Sequence, residues 1–147
     1  MNPTMGYLTF EKIDVGKIVF DSGNSAIGGT VVFLGTVRGH DKENVKVCEL
    51  YYEAYEKMAE EEFLAIETEA RQKWNIEKIS AIHRLGRLNV GEVSVAVVVS
   101  SKHRKEAFDA CRFIIDNIKT RVPIWKMEVT DTGSKWLAGT LLVSRKK

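Results

Sequence analysis

The chain has 147 residues, of which 44% are hydrophobic and 29% charged, and its formal net charge is +2. This length and balance are typical of one globular domain with a sizeable core. So small a net charge does not by itself indicate nucleic-acid binding, and no apolar run reaches the roughly 20 residues of a membrane-spanning helix. Since a signal-peptide pattern is also absent, we expect one cytoplasmic domain over residues 1–147, without a membrane or nucleic-acid partner.

The first part of the chain predicts three strands and one short helical segment. Residues 7–10 have the pattern of a short strand, and residues 15–20 that of a brief helix or turn. Near-continuous apolar and β-branched residues over 28–37 predict a buried strand. A polar loop begins at Arg38, and the alternation over 45–52 predicts a further strand.

Helical spacing of apolar residues then predicts a long helix over 55–74. Strands follow at 76–85 and 93–100, with a turn at 89–92 between them. The strand over 93–100 has the strongest β pattern in the chain.

A second long helix begins after Ser100 or Ser101, either of which can cap it, and is expected to end near Lys119. A last strand is predicted over 124–130. The inner stripe of the helix is expected to consist of Ala107, Phe108, Cys111, Ile114, Ile115 and Ile118.

The element order is β-β-α-β-β-α-β, and several strands are joined by connections of hairpin length. This order favours an α+β fold with a mixed, largely antiparallel sheet and two main helices over a regular βαβ arrangement.

Cys48 and Cys111 are the only cysteines, and they lie far apart in apolar surroundings. They form no C-x-x-C pair, and the three scattered histidines do not complete a metal-ligand pattern with them. We expect two buried thiols of a reduced cytosolic protein and no metal site.

The residues around Pro123 are the best candidates for chemistry. Lys119 is expected in the last turn of the second helix, and Lys126 follows Pro123 in the next strand. A compact turn could therefore direct both ammonium groups to one place, where clustered cations lower each other's pKa and favour proton transfer. The alternative is that these cations only complement the dipole at the end of the helix.

Three further basic residues suggest an anion site. His103 and Arg104 lie at the start of the second helix, where free N–H groups attract anions but basic side chains oppose the dipole. Arg38 ends a strand from which its guanidinium could bind phosphate through two hydrogen bonds. The alternative is that all three are solvated surface residues. His83, at the end of another strand, is interpreted as structural.

Several segments together resemble the family of the large, catalytic subunit of molybdopterin synthase. The resemblance is strongest over residues 119–128 and covers nearly the whole chain in order. The other matching segments are residues 28–40, 82–86, 101–104 and Trp136.

The resemblance implies an α/β hammerhead-like fold and a homodimer of large subunits within a heterotetramer. It implies a small ubiquitin-like partner whose C-terminal Gly-Gly thiocarboxylate enters the active site. The implied substrate is cyclic pyranopterin monophosphate, to which two sulfur transfers add the dithiolene of molybdopterin. Because the sulfur arrives on the partner, no cofactor is implied.

The family's two essential lysines match Lys119 and Lys126. The resemblance assigns substrate binding to Arg38 and to His103 and Arg104, the last two from the neighbouring protomer. Met127 stands where relatives often carry a basic residue, and its strand face fits packing. The remaining implied substrate-binding residues are Thr36, Val37, Met127 and Glu128.

Two other interpretations stay open at this point. The chain could be a binding module whose basic cleft holds a phosphorylated ligand or RNA, or a family member that serves only as a scaffold. A binding module should tolerate Lys126→Arg, since the charge remains, whereas proton transfer should not. We also expect the late apolar segment over residues 136–143 to contribute to the partner surface.

Overall fold

The computed structural model describes residues 6–131 and 133–137, and within them the chain forms eight strands and three helices. The strands are β1 (Leu8–Thr9), β2 (Gly29–Thr36), β3 (Val47–Ala54), β4 (Lys78–Arg84), β5 (Gly86–Asn89), β6 (Val93–Ser101), β7 (Ile124–Thr130) and β8 (Gly133–Leu137). The helices are α1 (Val15–Asp21), α2 (Glu56–Lys73) and α3 (Arg104–Arg121). None of the helices in the described ranges combines the length and the apolar character needed to span a membrane.

The strands form two four-stranded sheets, which confirms the α+β class and divides the predicted sheet into two. The first sheet has the order β1-β4-β6-β2, and only β1 and β4 are parallel within it. The second sheet has the order β5-β3-β7-β8 and is antiparallel throughout. The strands β5 and β8 were not predicted, because both are short. In addition, β5 pairs with β3, which is distant in sequence, and β8 follows a tight turn.

The main core lies between the first sheet and the two long helices. Buried side chains of α2 and α3 join those of β6 in one hydrophobic cluster. The predicted inner stripe of α3 is correct except at Phe108, which is 60% exposed. Phe108 lies about 100° around the helix from Ala107, just beyond Ile115 at the edge of the buried face. Ala110 is buried on the opposite flank of the stripe.

Strand β2 is present as predicted, but the prediction that it is buried is wrong. Val32, Phe33 and Leu34 are 39%, 36% and 38% exposed, respectively. The reason is topological, since β2 lies at the edge of the first sheet and pairs with β6 alone within the described residues. Strand β2 therefore has more apolar side chains than the described part of this chain buries.

Two local predictions also need correction. Cys48 is exposed, because it follows the buried Val47 in a strand whose successive side chains face opposite sides; its Sγ lies 3.6 Å from Asp131 Oδ1. Cys111 is buried as predicted, and burial raises the pKa of its thiol to about 11. Helix α3 is capped by His103 without a side-chain hydrogen bond, while the Ser101 hydroxyl donates to the His103 carbonyl.

The start of β2 lies against the segment that leads into α3. The Gly28 N–H donates to the Ser101 carbonyl at 3.0 Å. A Cβ atom added at Gly28 would lie 2.1 Å from the Lys102 carbonyl oxygen, and one at Gly29 would lie 3.4 Å from the Arg104 Cα. This close approach of two backbones explains the adjacent glycines.

Gly28→Ala is therefore expected to lower the free energy of unfolding by about 1–3 kcal/mol, because backbone must move to admit the methyl group. Gly16→Ala is the matched control. It lies in α1 with only an ordinary 3.7 Å contact to Asp14 Oδ1, so the helix preference of alanine should raise stability by up to about 1 kcal/mol. Urea unfolding of both variants measures the difference. Equal effects of the two substitutions would contradict the proposed clash.

Candidate active site

A small cavity lies where the end of α3 meets the two sheets. Its volume is about 120 Å³, well below the 300–1,000 Å³ typical of a complete small-molecule site. A small molecule of ordinary size would therefore overfill the cavity that these described residues form. The residues that line it are Tyr52, His83, Val95, Ile118, Lys119, Val122, Ile124, Trp125 and Lys126.

The turn around Pro123 brings both candidate lysines to this cavity. Helix α3 ends at Arg121, and Val122 is extended with φ −80° and ψ 128°, as expected before proline. The Val122 N–H still donates to the Ile118 carbonyl at 3.2 Å, and β7 starts two residues later. The predicted juxtaposition of Lys119 and Lys126 is therefore present in the structure.

The electrostatic surroundings lower the pKa of Lys126. Burial is the main cause, and the positive charges of Lys119, Arg38 and Lys42 act in the same direction. The carboxylate of Glu128 opposes them. A lysine with a lowered pKa holds its proton less tightly, so it is better suited to donate and accept protons near neutral pH.

Glu128 and Met127 occupy successive positions on β7. Glu128 is only 7% exposed and shares the strand face of Lys126, as predicted. Met127 is half-buried and pairs in register with Tyr51 on β3 and Trp136 on β8. This central position in the second sheet suits a packing residue.

The end of β2 brings Arg38 toward the lysines. Arg38 is exposed but close enough to affect the pKa of Lys126. Val37 is buried, donates its N–H to the Glu92 carbonyl at 3.0 Å and accepts the Gly91 N–H at 2.8 Å. A ligand contact by the Val37 backbone would therefore use the second lone pair of its carbonyl. Thr36 is exposed.

Lys42 is a candidate that sequence reasoning missed. It was interpreted as part of a polar loop, yet its charge acts on Lys126. Its proximity in sequence to Arg38 was the available signal, because both residues belong to the loop that leaves β2.

His103 and Arg104 are not brought to the cavity by this chain. They lie at the start of α3, whereas Lys119 lies near its end. Lys119 follows Arg104 by 15 positions, which correspond to about 22 Å of helix at 1.5 Å per residue. Within one chain, the predicted anion-binding residues therefore form two separate groups.

His83 is the second candidate that sequence reasoning did not assign. It is 6% exposed and lines the cavity beside both lysines. Its Nδ1 lies 2.8 Å from the Arg84 carbonyl oxygen, and its ring contacts the edge of Tyr52 at a centroid distance of 4.9 Å. Burial lowers its pKa to about 4, and the charge of Lys119 acts in the same direction.

Among residues 6–131 and 133–137, no three His, Cys, Asp or Glu side chains come together in an arrangement that could hold a metal ion. Only the start of the predicted partner surface over 136–143 is described, as the end of β8; the rest lies outside the described residues.

The buried His83 is expected to make the protein sensitive to acid. Its pKa is about 4 in the folded chain and about 6.5 in an unfolded one. Between these values the unfolded state binds more protons, so stability falls as the pH decreases, by up to about 3 kcal/mol. Urea unfolding between pH 7 and pH 4 should show a shallower pH dependence for His83→Gln than for the wild type.

The exposed His40 supplies a control, and His40→Gln should retain the wild-type slope. Identical slopes for all three proteins would show that His83 is not the group responsible.

The sequence and the fold of this chain are similar to those of known proteins. The family model described as MoaE protein matches residues 8–121. The molybdopterin synthase catalytic subunit of Pyrococcus abyssi is 45% identical over 129 residues, which cover 88% of this chain and 86% of that protein. A crystal structure of molybdopterin synthase from Staphylococcus aureus has a TM-score of 0.85 and 38% identity, covering 94% of this chain and 98% of its own.

A third likeness supports the fold alone. It is a protein–protein complex of subunits 1 and 2 of the molybdopterin-converting factor from Helicobacter pylori, with a TM-score of 0.74, 22% identity and 88% of each chain covered. The length of the family match and the identity to the Pyrococcus protein lead to one conclusion: the chain belongs to the family of molybdopterin synthase catalytic subunits.

Proposed function

We propose that this chain is the catalytic subunit of a molybdopterin synthase. It transfers sulfur from the C-terminal thiocarboxylate of a small ubiquitin-like subunit to cyclic pyranopterin monophosphate. The observation that carries the proposal is the pair Lys119 and Lys126 in one small cavity, with the pKa of Lys126 lowered by burial and neighbouring cations. The names of the relatives, molybdopterin synthase catalytic subunits, support it.

Each lysine has a separate role in the proposed reaction. The thiocarboxylate sulfur bonds to a pterin carbon, and Lys126 gives a proton to the oxygen that leaves. Water then attacks the acyl carbon, and the acyl–sulfur bond breaks, leaving a carboxylate on the partner and a thiol on the pterin. Lys119 stabilises the negative charge that develops on the acyl oxygen during this cleavage.

The partner's C-terminus carries the sulfur and also occupies part of the cavity. A Gly-Gly end has no side chains, so an extended segment of this kind suits a cavity of about 120 Å³. The Helicobacter complex of subunits 1 and 2 is consistent with a two-subunit enzyme. Because the partner carries the sulfur, the proposed reaction requires no cofactor.

The anionic substrate is bound by cations from two copies of the chain. Arg38, with Lys42, lies near the lysines. His103 and Arg104 of the same chain lie about 22 Å along α3 from Lys119, which supports their contribution from a second copy. The exposed apolar edge of β2 supports a dimer, since an apolar edge strand is normally covered.

In vitro conversion tests the function. Purified chain is mixed with cyclic pyranopterin monophosphate and the thiocarboxylated small subunit, and dithiolene product is measured. Lys119→Ala and Lys126→Ala should each reduce the rate by about 100-fold or more, and Lys126→Arg should also fail because arginine does not release a proton. Lys17→Ala, which removes a lysine 70% exposed on α1, is the control and should keep full activity.

The other outcomes separate the alternatives. A folded wild type that binds the substrate but yields no product, with Lys126→Arg binding equally well, would replace the proposed activity by a binding or scaffold function. Activity that survives both alanine substitutions would place the chemistry elsewhere on the chain.

Mixing two inactive variants tests the shared site. In a heterodimer of Lys126→Ala and Arg104→Ala chains, one of the two sites contains both defects and the other contains none. After subunit exchange, about a quarter of wild-type activity should return, because half of the dimers are mixed and half of their sites are intact. If Arg104 acts within its own chain, every site carries a defect and mixing restores nothing.

A further inference from the structure

The backbone just before Arg38 is held by the turn that joins β5 to β6. The Val37 N–H donates to the Glu92 carbonyl at 3.0 Å, and the Val37 carbonyl accepts the Gly91 N–H at 2.8 Å. Both backbone polar groups of Val37 are thus bound to one turn. The pairing of β2 with β6 is irregular after Gly35, so the turn, rather than a regular ladder, sets where the chain leaves the sheet.

The same turn also contacts the residue after Arg38. Val90 belongs to the turn, and a Cβ atom added at Gly39 would lie 3.6 Å from its Cγ1, an ordinary van der Waals distance. The Gly39 carbonyl in addition accepts the Val47 N–H at 2.9 Å. The exposed Arg38 therefore extends from a backbone that is fixed on both sides. The position of its guanidinium depends on the position of the turn.

A single carboxylate closes this turn and joins it to the end of β4. Oε1 of Glu92 accepts the Asn89 N–H at 2.9 Å and an N–H of Arg84 Nη1 at 3.1 Å. Nη2 of Arg84 donates to the Arg87 carbonyl on β5 at 3.3 Å. The bond from the Asn89 N–H is the main reason why the pKa of Glu92 is lowered, so this carboxylate stays charged at neutral pH. Arg84 thus holds the turn at its carboxylate and at the strand that leads into it.

Two features distinguish this ion pair from an ordinary surface salt bridge. The side chains of Arg84 and Glu92 are only 14% and 23% exposed, so water and salt screen the pair less than they screen a fully exposed one. Nε of Arg84 is fully buried and has no hydrogen-bond partner within the described part of the chain. A buried N–H without a partner costs stability, and a cost of this kind is typical of residues that serve a function.

We propose that Arg84 and Glu92 are positioning residues for Arg38, and that their ion pair fixes the turn so that the Arg38 guanidinium is held where the anionic substrate binds. Neither residue of the pair lines the cavity that contains the two lysines. Their effect reaches the substrate through the backbone bonds of Val37. The inference rests on the proposed function, in which Arg38 binds the substrate, and it identifies what holds this cation.

Steady-state kinetics test the positioning role. Glu92→Ala removes both side-chain bonds of the carboxylate and should raise KM for cyclic pyranopterin monophosphate about tenfold, with kcat within about threefold of the wild type. Glu92→Gln keeps an oxygen that can accept the Asn89 N–H but loses the charge, so a smaller rise in KM is expected. Unchanged KM in a folded Glu92→Ala variant, or a loss confined to kcat, would overturn the proposal.

The matched control is Glu49→Gln. The carboxylate of Glu49 pairs with Arg87 in the same sheet rather than with the turn, so this variant loses an ion pair of similar location and should keep the wild-type KM. A rise in KM as large as that of Glu92→Ala would assign the effect to general loss of ion pairing and would overturn the proposal. Thermal unfolding confirms that each variant is folded.

A double-mutant cycle tests whether the pair acts through Arg38. Arg38→Ala alone should raise KM at least about tenfold, because a charge-assisted hydrogen bond to the anion is lost. If Glu92 acts only by positioning Arg38, adding Glu92→Ala to Arg38→Ala should change KM by less than about threefold. Multiplied effects, about 100-fold in the combined variant, would show that Glu92 acts independently of Arg38 and would overturn the proposal.

A second measurement does not depend on catalysis. Hydrogen exchange of the Val37 amide reports its bond to the Glu92 carbonyl, and the Val97 amide in the central strand β6 is an internal reference for global stability. The rate at Val37 relative to Val97 should rise at least about tenfold in Glu92→Ala and in Arg84→Met, and it should stay at the wild-type value in Glu49→Gln. A constant ratio in all three variants would show that the ion pair does not fix the backbone at Arg38.

The two kinds of measurement separate the inference from the proposed function. If the wild-type chain makes no product with the thiocarboxylated partner, the proposed function fails, whereas the exchange ratio still decides whether the ion pair holds the backbone before Arg38. If the wild type is active and the exchange ratio rises without a rise in KM, the pair stabilises the turn without positioning Arg38, and the proposal is overturned.

Discussion

The turn at Val122 and Pro123 is the constraint on which the site depends. Proline forces the preceding residue out of the helical region, so α3 ends while Lys119 is still in its last turn. The chain then enters β7, which pairs with both β3 and β8 and cannot shift without breaking two ladders. One lysine is therefore fixed by a helix packed on the first sheet, and the other by a strand at the centre of the second sheet. The two lysines are therefore close because one short turn connects α3 to β7 and both elements are held rigidly by their packing and pairing.

Burial determines the protonation behaviour of the two titratable residues Lys126 and His83 at the cavity. Lys126 and His83 both lose water at the cavity, and both have lowered pKa values for that reason. The consequences differ, because lysine remains a candidate for proton transfer whereas histidine becomes neutral. The same desolvation thus favours one group that can exchange protons and one group that stays uncharged.

Much of this arrangement could be predicted from the sequence, and the exceptions have physical causes. Periodicity identified the long helices and the strands that fill the core, and Pro123 placed the two lysines together. Periodicity did not identify β5, which pairs with the distant β3, or β8, which is short and pairs with β7 across a tight turn. Periodicity also predicted a buried strand over 28–37, because an apolar pattern does not reveal which strand lies at the edge of a sheet. His83 was interpreted as structural, and its place in the cavity beside Tyr52 could not be predicted because the two rings belong to strands that are distant in sequence.

The stretch from Lys119 to Lys126 contains a third cation, but the structure directs it elsewhere. Arg121 makes a bidentate pair with Glu69, at 2.8 and 2.9 Å, and a further bond to Glu62 at 3.2 Å. Both carboxylates belong to α2, which does not line the cavity. The carboxylates of α2 therefore serve as counter-ions for Arg121, one of the three neighbouring positive charges. A helix remote from the reaction thereby helps to set how much positive charge an incoming anion meets.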